Sequence, residues 1–185
     1  MSSTKFTDTA RTPVATSKVA GELTDGSKGH FLVSALKTFF GIGTTTNDNA
    51  AAGQIGEFIE SEVVLAGAVS LTTGVSANVT SISLTAGDWD VSGNVYYNSA
   101  AGTTITGLGA AISLTSATYP LPRPGRGAFT TLLATFTGNG SANLIPAGTV
   151  RMSVASTTTV YLVANGSFAA STLTAGGYIG ARRAR

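Results

Sequence analysis

No cysteine occurs among the 185 residues of this chain. That absence removes disulfides, thiol nucleophiles and thiolate metal sites together. A single histidine, His30, is present, so a zinc site would be short of ligands. Charge is scarce too, at 11% of residues, against roughly 25% in an average soluble domain. After Asp90 the chain has no Asp, Glu or His at all. Long apolar runs are also missing. "VVLAGAV" (63–69) is among the longest, whereas a membrane-spanning helix needs about 20 residues. The N-terminus "MSSTKFTDTARTP" has no apolar segment of the secretory type, so synthesis in a cytoplasm, with no membrane partner, is expected.

Small residues fill the space that charge leaves. There are 23 glycines, with Ala, Ser and Thr throughout, and mean hydropathy is +0.27. So little charge leaves few groups to keep a surface hydrated, which predicts burial against copies of the same chain or other partners. What charge there is divides unevenly. Residues 1–90 hold five basic side chains against all nine acids, while residues 91–185 hold six arginines and no acid. Three of those arginines end the chain as "RRAR". A basic tail can bind nucleic acid, but no second basic cluster or interleaved aromatics accompany it, so nucleic acid is not an expected partner.

Three zones follow from punctuation and periodicity. Residues 1–17 are rich in Thr and Ser without apolar period, an extended arm. Residues 18–41 predict a hairpin around Asp25-Gly26, then a short helix capped by Ser34 and closed by Gly41. Leu32, Leu36, Phe39 and Phe40 share one side of that unit, an apolar face too small to be self-sufficient. They are the candidate attachment residues. "GIGTTTNDNAAAGQIGEF" (41–58) reads as a linker. Beyond it the period becomes two, with eight or more short strands separated by turn-type stretches such as "TAGD", "IPAG", "NGS" and "TAGG". In "WDVSGNVYY", Trp89, Val91, Gly93, Val95 and Tyr97 fall on one face, as in a half-buried antiparallel strand. The predicted fold is mainly β: an antiparallel sandwich or jelly roll over 54–185, preceded by an N-terminal arm, hairpin-helix unit and linker over 1–53.

Catalytic and metal-binding patterns are absent. His30 has no evident partner for acid–base work. Asp88 and Asp90 alternate around Trp89 and point away from the core, which places them in a turn and on the surface. Glu57, Glu60 and Glu62 cluster at the linker edge and read as solvated charges. "TNDN" (46–49) offers one carboxylate, too few for calcium, and the glycine clusters lack a phosphate-loop context. Neither a catalytic residue nor a cofactor is expected. Tyr96, Tyr97, Tyr119, Tyr161 and Tyr178 could line a carbohydrate-binding face, although core or subunit-contact roles fit most of them better.

"VTSISLTAGDWDVSGNVYY" (79–97), "VRMSVASTTTVYLVANGSF" (150–168) and "STLTAGGYIGARRAR" (171–185) resemble strands in small structural proteins of tailed bacteriophages, in a trimeric jelly-roll domain at the end of a virion appendage. "ELTDGSKGHFLVSALKTFFG" (22–41) is similar to N-terminal modules of phage fibre proteins. The resemblance covers roughly 18–41 and 54–185 at the level of strand patterns. It implies a non-enzymatic virion protein, assembled in the host cytoplasm, that forms a homotrimer. Its N-terminal segment would bind other virion proteins of the capsid, neck or tail. As a fibre it would contact the host surface, with a surface glycan as a further partner. As a decoration (cement) protein it would clamp capsid subunits. A carbohydrate-binding module outside any virus is the competing reading.

Overall fold

The computed structural model describes residues 18–22, 28–32, 48–120, 128–138, 140 and 142–185. The chain divides into two compact units, 1–48 and 49–185. In the first, β1 (Lys18–Glu22) and β2 (Lys28–Leu32) pair antiparallel, Lys18 opposite Leu32 and Glu22 opposite Lys28. The Asp25-Gly26 turn signal lies between them in sequence. Leu32 ends β2, and His30 is in it opposite Ala20. Leu36, Phe39 and Phe40, with the expected helix, lie outside the described residues, as does the arm 1–17.

The second unit is built of strands. Eight long or edge-forming ones occur in chain order: β3 (Phe58–Val63), β5 (Ala77–Leu84), β6 (Gly87–Ser99), β7 (Thr104–Ser113), β8 (Ala128–Leu132), β10 (Ala142–Val154), β11 (Thr158–Ala169) and β12 (Leu173–Arg183). Two short pieces, β4 (Val69–Ser70) and β9 (Phe136–Thr137), and a turn of 3-10 helix at Leu65–Gly67 complete it. One sheet has the order β10-β6-β12-β3, with β4 added to β12. The other has the order β5-β11-β7-β8, with β9 added to β7. All the pairings are antiparallel.

The order of pairing defines the topology. Among the eight strands the first pairs with the last (β3 with β12), the second with the seventh (β5 with β11), the third with the sixth (β6 with β10) and the fourth with the fifth (β7 with β8). The chain is thus one long antiparallel hairpin rolled up so that its rungs alternate between two sheets. Two added pairings, β6 with β12 and β7 with β11, fuse those rungs into the sheets. This is a jelly roll, the sandwich expected from the period-two pattern.

The core lies between the sheets. Trp89, Val91, Val95 and Tyr97 of β6 are fully buried, alternating with more exposed neighbours. They meet Leu84, Ile105, Leu108, Ile112, Leu162 and Ile179. Tyr97 ties the layers together: its hydroxyl donates to the Gly109 carbonyl at 2.5 Å and accepts the Asn165 N–H at 3.2 Å. A buried phenol needs such partners, and burial also pushes its pKa up.

Glycine-containing stretches that read as turns depart from expectation. "NGS" lies inside β11 and "TAGG" inside β12, while "IPAG" is part of β10, where the register shifts between Pro146 and Gly148. In these places glycine makes room or permits a bulge rather than reversing the chain. The acidic stretch 57–63, read as solvated linker edge, holds β3, an edge strand paired along its full length with β12.

Candidate functional site

Two clusters of polar side chains stand out on the first sheet, at opposite ends of its strands. One is structural. Strand register places Met152, Trp89 and Arg183 in one row across β10, β6 and β12. Glu57 extends this row, because the Arg183 N–H donates to the Glu57 carbonyl at 2.9 Å and the Gly56 N–H donates to the Arg183 carbonyl at 3.0 Å. The Arg183 guanidinium lies 4.3 Å from the Trp89 ring centroid, a cation–π contact. Its Nε donates to Glu57 Oε2 at 2.8 Å, its Nη1 to the Ala86 carbonyl at 2.8 Å, and its Nη2 to the Thr85 hydroxyl. Gly87 leaves the space that Nη1 needs, since a Cβ there would collide with it. Burial alone would raise the Glu57 pKa, but the Gly53 N–H and Arg183 outweigh it and hold the carboxyl below its usual range.

Glu57 is therefore not a solvated charge but half of a buried ion pair. Asp88 requires a similar correction. Its side chain does leave the core face, as strand alternation dictates, yet it is only 3% exposed. Arg151 reaches Asp88 Oδ2 at 2.7 Å and Arg185 binds the same oxygen. Hydrogen bonds from Arg151, then Ser153 and Arg185, lower its pKa to about 2 against the cost of burial. Asp90 is exposed, as read. Two of the three tail arginines are thus committed to intramolecular pairs. Sequence reasoning missed this because the partners of Arg183 and Arg185 lie about a hundred residues away in the chain.

The second cluster faces outward and is the candidate binding face. Successive rows across β10, β6, β12 and β3 read Leu144–Tyr96–Gly176, then Pro146–Asn94–Tyr178–Glu62, then Thr149–Ser92–Gly180–Glu60. The tyrosine rings lie close over glycines. A Cβ on Gly176 would stand 3.1 Å from the Tyr96 ring, and one on Gly180 would stand 2.6 Å from the Tyr178 hydroxyl. Their hydroxyls donate to carboxylates, Tyr96 to Glu62 Oε1 at 2.9 Å and Tyr178 to Glu60 Oε2 at 2.8 Å. Desolvation first, then the neighbouring carboxylate, raises both phenol pKa values, that of Tyr178 to about 12.

Beside Tyr96 the face opens into a hollow of about 400 Å³ lined by Glu62, Val64, Leu65, Tyr96, Ala142 and Leu144. Val64, Leu65 and Leu144 are exposed there. Apolar walls, a flat aromatic ring and one carboxylate can hold an apolar group with a polar or cationic neighbour. They supply no nucleophile–base pair. Of the other tyrosines, Tyr97 is core, Tyr119 bonds Thr131 at 3.0 Å over Gly109, and Tyr161 is half-buried in β11. Only Tyr96 and Tyr178 share this face.

Among the described residues no group of three or more His, Cys, Asp or Glu side chains could hold a metal ion. Of "TNDN", Asp48 and Asn49 lie at the surface, while Thr46 and Asn47 fall outside the described residues. No described helix is long and apolar enough to cross a membrane.

No family model matches this chain, and no curated protein matches it. Solved structures do show a loose likeness. One is a chain of the T13 IBDV viral particle, at 16% identity and a TM-score of 0.41, over 77% of this chain and 36% of that one. Another comes from T=1 particles derived from infectious bursal virus, at 17% identity and 0.43, over 77% and 36%. A third is the VP2 subviral particle of infectious bursal disease virus, at 14% identity and 0.42, over 77% and 38%. The chain spans little more than a third of those chains. A match this loose carries no argument about fold or role, and the jelly roll rests on the strand pairing above.

Proposed function

We propose that this chain is a non-enzymatic structural component of a tailed-bacteriophage virion, a trimeric fibre or appendage protein held by its N-terminal segment and projecting the β-domain. The observation that carries the reading is the rolled-hairpin sandwich whose buried ionisable groups are spent on its own closure. Glu57 and Asp88 are tied to arginines in the domain, which leaves a charge-poor exterior suited to assembly. Jelly rolls also serve as capsid and lectin domains, so the fold alone decides nothing. The phage assignment comes from the strand-level resemblance of 79–97, 150–168 and 171–185. A decoration protein clamping capsid subunits is the nearest alternative.

The attachment role of Leu32, Leu36, Phe39 and Phe40 belongs to this proposal. A segment with an apolar face and no core of its own gains order by burying that face on a partner. The test is deletion of residues 1–41 followed by particle incorporation. The truncated protein should stay soluble and oligomeric yet fail to incorporate. Normal incorporation would move the anchor into the β-domain. Copy number per particle then separates a fibre, present in few copies, from a shell decoration, present in many.

A second reading draws on the two tyrosines lying over glycine beside carboxylates, an arrangement on which a sugar ring can stack. Glycan-array binding without particle association would favour that module.

A further inference from the structure

We infer that the hollow beside Tyr96 is a binding site for an alkylammonium group, an apolar stem ending in a primary amine. Three kinds of wall meet there. Val64, Leu65 and Leu144 are exposed apolar side chains. Tyr96 adds an aromatic ring, which lies close over Gly176 and is tied through its hydroxyl to Glu62 Oε1 at 2.9 Å. Glu62 adds a carboxylate whose second oxygen, Oε2, is left for another donor. Apolar walls by themselves would take any oily group. The carboxylate and the ring narrow the choice, because both attract positive charge. An anion would meet Glu62 with like charge, and an uncharged alkyl group would leave the carboxylate to water alone. An amine on an apolar stem suits all three walls at once.

The described part of the domain brings no cation of its own to this place. Among the described residues of 49–185 the basic side chains are Arg151, Arg182, Arg183 and Arg185. Register puts Arg151 and Arg182 opposite Asp90 and Arg183 opposite Trp89, and Arg185 reaches Asp88. The hollow lies further along β6: Leu144 is opposite Tyr96, and Glu62 joins the Asn94 row through Tyr178. At least four residues of β6 separate the two sets, about 13 Å or more of strand. Arg151, Arg183 and Arg185 are also already engaged with Asp88 and Glu57. Among the described residues no ion pair includes Glu62, nor Glu60 in the next row. This side of the face therefore carries a negative sign that a bound cation would balance. A hollow of about 400 Å³ has the size of a small-ligand site. The inference does not rest on the trimer or on the virion reading.

The test uses the full chain at neutral pH and three probes of equal length: n-hexylammonium, n-hexanol and n-hexanoate. Methyl NMR of labelled leucine and valine reads both affinity and place. Shifts are expected at Val64, Leu65 and Leu144, with the amine bound about tenfold or more tighter than the alcohol. Hexanoate should bind weakest, and added salt should shrink the preference for the amine. Glu62→Gln should erase that preference while hexanol binding stays, with unchanged Trp89 emission as the check on folding. Tyr96→Leu should weaken the amine more than the alcohol. Nα-acetyl-lysine methylamide separates the two sources of such a group. Its binding alongside hexylammonium assigns the site to a lysine side chain of a partner protein, and its exclusion assigns it to a free amine. Equal affinity for amine and alcohol, or a preference that survives Glu62→Gln, overturns the site. So do shifts confined to other residues, or none with any probe up to its solubility.

Discussion

Glu57, Glu60 and Glu62 lie within six residues of one another, yet the sheet sends them to opposite fates. Glu57 meets Arg183 and the edge of the Trp89 site in a buried row. Glu60 and Glu62 extend over the outer face and accept phenol hydroxyls. The same residue type is a structural member at one end and part of an exposed outer face at the other. What differs is the cross-strand neighbour: an arginine delivered by β12 in one case, a tyrosine lying over glycine in the other. An ion left alone in the buried row would be strongly penalised, whereas a lost contact on the face is replaced by water. The two regions should therefore respond very differently to perturbation.

Breaking the buried row should have the largest effect. Trp89→Ala removes the largest fully buried side chain and should cost about 3–5 kcal/mol, read by denaturant unfolding followed by circular dichroism. In the native protein, Trp89 emission should be blue-shifted and resistant to quenchers. A red-shifted, fully quenchable tryptophan would disprove this packing. Arg183→Ala strands Glu57 and should cost about 3 kcal/mol or more. The double change Glu57→Gln with Arg183→Met should recover part of that loss. Equal stability of Arg183→Ala and the wild type would mean that the row is not closed as described.

The period-two pattern made the sandwich and the inward phase of β6 legible, because alternation alone decides which face is apolar. Trp89, Val91, Val95 and Tyr97 are buried together for that reason. Long-range pairing was not legible. Nothing local in "RRAR" indicates that Arg183 faces Glu57 or that Arg185 and Arg151 close over Asp88, since rows across a sheet depend on strand order. Glycine was the other source of error. "TAGG" and "NGS" satisfy every local turn criterion, yet a Cβ on Gly176 would meet the Val63 carbonyl oxygen at 2.6 Å and the Tyr96 ring at 3.1 Å, and one on Gly166 would meet Leu173 Cδ2 at 2.7 Å. The pairing of Tyr96 with Tyr178 as one face needed the β6–β12 register, which composition and spacing do not contain.

Gly177 sharpens that lesson on the core side of β12. A Cβ there would lie 2.5 Å from the Asn94 carbonyl oxygen and 2.7 Å from Leu162 Cδ2. Gly177→Ala should therefore destabilise by about 1–3 kcal/mol, seen as a lower thermal midpoint with the sheet content retained. An unchanged midpoint would show that the strands can move apart without cost.

Acid should separate the two regions more gently. Asp88 and Glu57 both have lowered folded-state values. Their contribution is present above the ordinary carboxylate range and is lost as pH falls through the folded values, about 2 for Asp88. The melting midpoint should stay level near neutrality and fall progressively below about pH 4. Asp88→Asn should make that fall shallower. An identical acid profile in the variant would remove Asp88 from the account.

The smallest effect is expected on the outer face, at Tyr178. Its hydroxyl donates to Glu60 at 2.8 Å, and water can replace that bond at either partner. Tyr178→Phe should cost no more than about 0.5–1 kcal/mol. The phenol has its own readout, because burial and then Glu60 push its pKa up to about 12. A raised value means that the neutral form is favoured in the fold. That contribution is complete below the ordinary tyrosine value and disappears as pH rises through about 12. Tyrosinate absorbance should lose the amplitude of one late-ionising phenol in Tyr178→Phe, those of Tyr96 and Tyr97 remaining, while the stability barely changes. An early-ionising Tyr178, or a loss comparable to that in Arg183→Ala, would mean that this face is as structural as the buried row. The division between a buried row that closes the domain and an outer face whose contacts water can replace would then fail.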